Sequence, residues 1–186
     1  MRIITGLYKG RAIRTVDDLS VRPATDRVKK TIFDMLAVRL DFDGATVLDL
    51  FAGSGSLGFE ALSRGAARAV FVEANPEAAG FIEENAQNFG CERFTEIRER
   101  DAVSFVQHTK EAFDLVFADP PYRFDRTKEL PGMIFEAGLV KKGGLLVIEH
   151  DPKVHFESTR VFAAGPEKKF GRTVVTFFQH PQQGLQ

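Results

Sequence analysis

The feature that most constrains the fold is an alternation. Short runs of strand character at 46–51 (TVLDLF), 68–75 (RAVFVEAN), 94–101 (FTEIRERD) and 113–119 (FDLVFAD) are each followed by a segment of helical spacing. Strands that alternate with helices are joined by crossovers, which gives a parallel sheet with helices on both faces. The helices are expected at 56–65, 76–90, around 102–107 and near 127–138. The second has Pro76 in its first turn and Gly90 at its end, the usual asymmetry of helix termini. A fifth strand is expected at 144–150 (GLLVIEH), and TRVFAA (159–164) with TVVTFFQ (173–179) should form a closing antiparallel pair. The fold class is therefore α/β.

Ahead of the sheet, residues 1–40 form an extension to a main domain at 41–180, with a tail at 181–186. RIITGLYKGRAIRTV suggests two short strands around a turn near Lys9-Gly10. RPATDRVKKTIFDMLAVRL suggests a helix opened by Pro23 and capped by Thr25 or Asp26. Val28, Ile32, Met35, Leu36 and Leu40 supply its apolar stripe. This extension holds nine Lys/Arg against four Asp, a local charge of +5 within a chain whose net charge is −1. A basic extension on an acidic body suits a polyanion, and equally a solvated face. No run approaches the roughly 20 apolar residues of a membrane span, and the first ten residues have no apolar core of signal-peptide type. A single cysteine, Cys91, fits a reducing compartment, and four scattered histidines form no metal constellation.

Ligands of open α/β sheets bind at the carboxyl ends of the strands. The loop DLFAGSGSLG lies at the first such end, and Gly53, Gly55 and Gly58 spell G-x-G-x-x-G between strand and helix. Glu73 ends the next strand, twenty residues on, so the loop alone also satisfies a dinucleotide fingerprint. Asp49 weighs against that reading, because a carboxylate beside the loop repels a pyrophosphate and attracts a cation. Glu73 is suited to accept from ribose hydroxyls, and Asp101 from an adenine amino group. Asp49, Glu73, Asp101 and Asp119 stand at four consecutive strand ends. That row favours S-adenosylmethionine, with its amino group and sulfonium, over NAD.

The fourth strand ends in FADPPYRF. Two prolines fix two φ angles and remove two backbone donors, so Asp119, Pro120, Pro121 and Tyr122 form a stiff corner that offers acceptors and one aromatic face. Such a corner suits methylation of an exocyclic amine on a nucleobase, whose lone pair is delocalised into the ring. The Asp119 carboxylate and Pro120 carbonyl would hold the amine N–H bonds, and Tyr122 would stack on the base.

LDLFAGSGSLGFEALSRGA together with FADPPY resembles the amino-methyltransferases of the Rossmann-like class I S-adenosylmethionine-dependent fold. RIITGLYKGRAI, RPATDRVKKTIFDML and KKFGRTVVTFFQ narrow the resemblance to the bacterial family that methylates the guanine N2 amine of small-subunit (16S) ribosomal RNA, at the position conventionally numbered 966. The family motif reads Arg-Pro-Thr-Thr-Asp-Arg-Val; here Ala24 replaces the first threonine, while Thr25, Asp26 and Arg27 are kept. The resemblance implies a mostly parallel sheet with an antiparallel closing strand and a small N-terminal hairpin and helix. It implies a cytoplasmic, monomeric enzyme, without membrane or metal, that acts on 16S rRNA in the small subunit or its assembly intermediate. Asp119, Pro120, Pro121 and Tyr122 map onto the family's catalytic motif, and Asp49, Gly53 and Gly55 onto its cofactor loop. Lys9, Arg11, Arg22 and Arg27 become natural RNA contacts. The rival readings are a DNA adenine-N6 or cytosine-N4 methyltransferase, an NAD-binding oxidoreductase, and an RNA-binding assembly factor without activity.

Overall fold

A computed structural model describes residues 1–15 and 26–181. Among them seven strands form one sheet: β1 (Thr46–Leu50), β2 (Arg68–Glu73), β3 (Thr95–Glu99), β4 (Phe113–Ala118), β5 (Val140–His150), β6 (Ala163–Phe170) and β7 (Thr173–Gln179). Their order is β3-β2-β1-β4-β5-β7-β6. The first five pair in parallel, whereas β7 runs antiparallel to both β5 and β6. The crossovers carry α2 (Ser56–Ser63), α3 (Pro76–Phe89), α4 (Ala102–His108) and α5 (Leu130–Glu136), and α1 (Asp26–Leu36) precedes the sheet.

Helices on both faces leave the central strands no wet side, which is why β1, β2 and β4 are nearly continuous in apolar residues. Phe33, Phe59, Phe71, Phe89 and Phe117 fill the core on one face. Leu50, Val72, Phe105, Ile134 and Phe178 fill it on the other. From β1 the chain winds outward through β2 and β3, then returns to β4 on the opposite side of β1. The carboxyl ends of β1 and β4 therefore border the crevice where the winding reverses, the place that open sheets of this kind offer to ligands.

Three expected elements differ. The sixth strand is Ala163–Phe170 rather than 159–164, because an edge strand paired only with β7 has few residues to bury and carries no apolar signature. The fifth begins at Val140, upstream of Gly143 and Gly144, with an irregularity in register where it passes Phe113 and Leu115 of β4. The two N-terminal strands reduce to a single antiparallel bridge between Arg2 and Ala12. Residues 16–25, with Arg22, Pro23, Ala24 and the cap candidate Thr25, lie outside the described residues.

The N-terminal hairpin is pinned to α2. Glu60, with no exposed surface, accepts from the backbone N–H groups of Ile4 (2.8 Å) and Thr5 (3.0 Å). Ser63 accepts from Leu7 and Tyr8 and donates to the carbonyl of Thr5. The wholly buried Lys29 of α1 donates to the Arg2 carbonyl at 2.6 Å and lies 3.8 Å from Glu60. Burial holds the Lys29 ammonium below its ordinary range, against the pull of Glu60.

Candidate active site

A cavity of about 1190 Å³ opens at the carboxyl ends of the strands. That exceeds the usual range for one small ligand and leaves room for a nucleoside cofactor beside a base. Its wall includes Asp49, Gly53, Glu73, Asp101, Asp119, Pro120, Pro121 and Tyr122, so eight of the residues singled out for cofactor and catalysis share one space.

The glycine loop is built from both sides. Gly55 precedes α2 in the left-handed region, with φ 74°, and has no side chain to cap the helix. Asp49 does that work from β1: its Oδ2 accepts the N–H of Gly58 at 2.9 Å, one of the orphan donors of the first turn. At Gly58 a Cβ would lie 2.3 Å from the Phe71 ring, so glycine is what lets α2 sit this close to β2. Asp49 is 2% exposed. Burial pushes its carboxyl up to about 7, opposed by the Gly58 bond and reinforced by the charge of Glu73. Glu73 closes the loop from β2, with Oε2 accepting from Gly53 N–H and Oε1 from Asn75 N–H, both at 2.8 Å. Asp101 caps α4 through Oδ1, which accepts from Ser104 N–H at 2.8 Å. Each carboxylate is thus oriented by backbone donors, and each lines the cavity.

On the strand next to β1, Asp119 follows β4. Burial, then the neighbouring charges of Glu149 and Asp49, hold its carboxyl well above the ordinary range. Phe124 N–H donates to the Pro121 carbonyl at 2.8 Å and closes the turn, leaving Tyr122 66% exposed at the rim. Phe124 folds back edge-on to Phe51, 5.1 Å between ring centres, and both line the cavity. Phe51 holds φ at 56°, an uncommon conformation for a bulky side chain that turns the chain out of β1.

The basic residues divide. Arg27 lines the cavity. Lys9 and Arg11 are exposed on the pinned hairpin and do not line it; Arg11 donates to the Asn88 carbonyl at 2.8 Å and lies over the rings of Tyr8 and Phe89. Arg22 lies outside the described residues. Sequence reasoning missed Glu149, Phe124 and the β6–β7 turn, where Lys169, Phe170 and Arg172 reach the cavity wall. A signal for Glu149 was present, since it stands near the end of β5 as Asp49 and Glu73 stand near the ends of β1 and β2. Among the described residues no group of three or more His, Cys, Asp and Glu is arranged to hold a metal, and no helix is long and apolar enough to cross a membrane.

Dinucleotide-binding sheets run 3-2-1-4-5-6; here an antiparallel seventh strand is inserted between β5 and β6. That sheet, with its crevice at β1 and β4, defines a class I methyltransferase fold. The chain belongs to the family described as conserved hypothetical protein 95, whose model matches residues 1–179. The ribosomal RNA small subunit methyltransferase D of Haemophilus influenzae is 35% identical over 152 residues, covering 80% of this chain and 78% of that protein. The protein of the same name from Escherichia coli K12 is 31% identical over 186 residues, covering 99% and 92%. The solved Escherichia coli protein yhhF superposes with a TM-score of 0.85 at 30% identity, covering 98% of this chain and 99% of that one.

Proposed function

We propose that the chain transfers a methyl group from S-adenosylmethionine to the exocyclic N2 amine of a guanine in 16S ribosomal RNA, acting as a cytoplasmic monomer on the small subunit or its assembly intermediate. The observation that carries the reading is that the Asp119-Pro120-Pro121-Tyr122 corner and the glycine loop open into one cavity. The relatives named as small-subunit rRNA methyltransferases supply the substrate class.

The residues present fit the cofactor. A wall made of Asp49, Glu73 and Asp101 is hostile to a pyrophosphate and suited to a cationic nucleoside. Gly53 would let the ligand approach the backbone; Gly55 does not line the cavity, and a Cβ there would lie 2.8 Å from the Phe59 ring, so it serves the turn into α2 instead. Glu73 would accept from ribose hydroxyls, Asp101 from the adenine amine, and Asp49 would face the cationic end. When bound, the cofactor supplies an electrophilic methyl on a sulfonium and leaves as a neutral thioether.

The chain's own contribution lies at the corner. The Asp119 carboxylate and the Pro120 carbonyl accept the two amine N–H bonds and draw nitrogen toward a tetrahedral form, freeing its lone pair. As the new bond makes nitrogen cationic, Asp119 takes the proton. A carboxylate raised above its ordinary range is a stronger base than a free one, so burial here serves the chemistry. The prolines hold the acceptors in place before reaction, so little reorganisation is required. Tyr122 and Phe124 offer faces for the base. Arg27 at the cavity and Arg22, Lys9 and Arg11 on the extension would contact RNA, joined by Lys169 and Arg172; contact at Lys9 and Arg11 requires the RNA to extend beyond the cavity.

The test is labelled methyl transfer with unmodified small subunits, protein-free 16S rRNA and duplex DNA offered in parallel, followed by nucleoside analysis. N2-methylguanosine from a ribosomal substrate is expected. Label in methyladenine or methylcytosine of DNA, with rRNA inert, would overturn the substrate.

A further inference from the structure

One half-buried carboxylate in the cavity has work left to do. Glu149 stands on β5 directly after Ile148, which registers with Ala118 of β4, so Glu149 and Asp119 leave adjacent parallel strands at the same level. Both line the cavity. Glu149 Oε1 accepts from the Thr173 hydroxyl at 3.0 Å, which fixes the carboxylate. Oε2 is buried and has no hydrogen-bond partner; among the described residues it is the one buried side-chain oxygen or nitrogen left in that condition. Asp49, Glu73 and Asp101, by contrast, each accept from a backbone N–H. A carboxylate that served the fold alone would have both oxygens engaged, and an orphaned one beside a catalytic group points to a donor that arrives with the ligand.

The chemistry of that donor follows from its neighbour. Asp119 faces the amine that is to be methylated. In guanine the atom next to that amine on the base edge is N1, which carries hydrogen. In adenine and cytosine the ring nitrogen next to the amine carries a lone pair, which a carboxylate oxygen would repel. We propose that Glu149 Oε2 accepts the N1–H of the target guanine and is the residue that selects guanine over the other amino bases. This rests on the reading of guanine N2 methylation given above and adds the group that enforces it. Burial raises the Glu149 carboxyl, and its charge helps to raise that of Asp119; an incoming pair of N–H donors relieves both.

The experiment compares small subunits reconstituted with guanine or with 2-aminopurine at the methylated position. 2-Aminopurine keeps the reactive amine and lacks the N1 hydrogen. The wild-type enzyme should prefer guanine by about 100-fold or more in kcat/KM, as expected where a site built around a donor meets an analogue that lacks it. Glu149→Ala should bring the two substrates within a few-fold of each other. Glu149→Gln should keep most of the preference, since its carbonyl can accept N1–H while its NH2 donates to Thr173. The ratio between substrates cancels any general loss of fold or cofactor binding, and taking the change of that ratio on mutation also cancels the difference in amine reactivity. Equal losses on both substrates in Glu149→Ala would make the residue structural and overturn the proposal. So would a wild-type enzyme that accepts both bases equally, whether or not the variants fold. Absence of N2-methylguanosine from wild-type enzyme on unmodified subunits would instead overturn the underlying reading, and the proposal with it.

Discussion

Asp49 carries a charge cost set by its burial. Its carboxyl is raised from 3.8 to about 7, chiefly by burial. At about 1.36 kcal/mol per unit, ionising it in the folded chain costs on the order of 4 kcal/mol more than in the unfolded one. Between the two values the folded state holds a proton that the unfolded state has released, so stability falls as pH rises through this window. The contribution is intact below about pH 4 and lost by about pH 8. Asp49→Asn keeps an oxygen to accept from Gly58 N–H and abolishes the titration. Roughly 1.5 kcal/mol of the cost is already present at pH 5, so the gain of the variant over the wild type should grow by about 2.5 kcal/mol between pH 5 and pH 8. The chain has no tryptophan, so urea unfolding is best followed by far-ultraviolet circular dichroism at several pH values without ligand. Glu149 titrates in both proteins and cancels in the difference; the Asp119 carboxyl is raised in part by the Asp49 charge, so its relief in the variant adds to the gain with the same sign. A difference that stays flat over this range would refute the argument that burial raises Asp49. With S-adenosylmethionine the order should reverse, because the cation needs the charge that the empty protein resists.

Asp119→Ala should lower turnover by at least about 100-fold while S-adenosylhomocysteine affinity stays within a few-fold; isothermal titration showing a large loss of affinity would move Asp119 from the base to the cofactor. Gly6→Ala forces a Cβ to within 1.8 Å of the Ser63 carbonyl oxygen at a φ of 89°, and should cost about 2 kcal/mol or more in urea unfolding. A change under about 0.5 kcal/mol would mean that the hairpin is not pinned where it is described. Lys29→Ala removes the buried donor to the Arg2 carbonyl, while Glu60 keeps Arg64 at 3.0 Å; it should cost about 2 kcal/mol by the same measurement, an expectation that a near-neutral result would refute. Replacing Lys169 and Arg172 together by Glu should weaken RNA binding and lower its salt slope by roughly 1.4, the share of two phosphate contacts on a single strand. An unchanged slope would remove the β6–β7 turn from the RNA surface.

What the sequence disclosed followed burial. The strands β1, β2, β4 and β7 carry runs of apolar side chains, and the glycine loop and proline corner are local chemistry that announces itself. β6 was misjudged because Pro166, Glu167, Lys168 and Lys169 are exposed on an edge, so no alternation marks them as a strand. The docking of the hairpin was hidden for another reason. Glu60 and Ser63 lie on what reads as an ordinary polar stripe of α2, and only the folded chain brings residues 4–8 against them. Arg11 is expected from the sequence as an RNA contact; its hydrogen bond to the Asn88 carbonyl bridges 77 positions, which no local pattern encodes. The role argued for Glu149 depends on an oxygen left without a partner, a property of three-dimensional packing that composition and spacing do not express.

The clasp between the hairpin and α2 also bears on how the chain is made. Ile4, Thr5 and Tyr8 leave the synthesising ribosome early, yet their partners Glu60 and Ser63 lie 55 or 56 positions later. At about 5–20 residues per second the first segment waits roughly 3–11 s before it has anything to hold. Arg14 and Asn85, which exchange two backbone–side-chain bonds across 71 positions, wait longer still. The hairpin is thus made well before its partners and is among the later parts to settle. During that interval Arg11 and Arg14 are carried on an unfolded strand, and they take up their observed places only when α3 has been made.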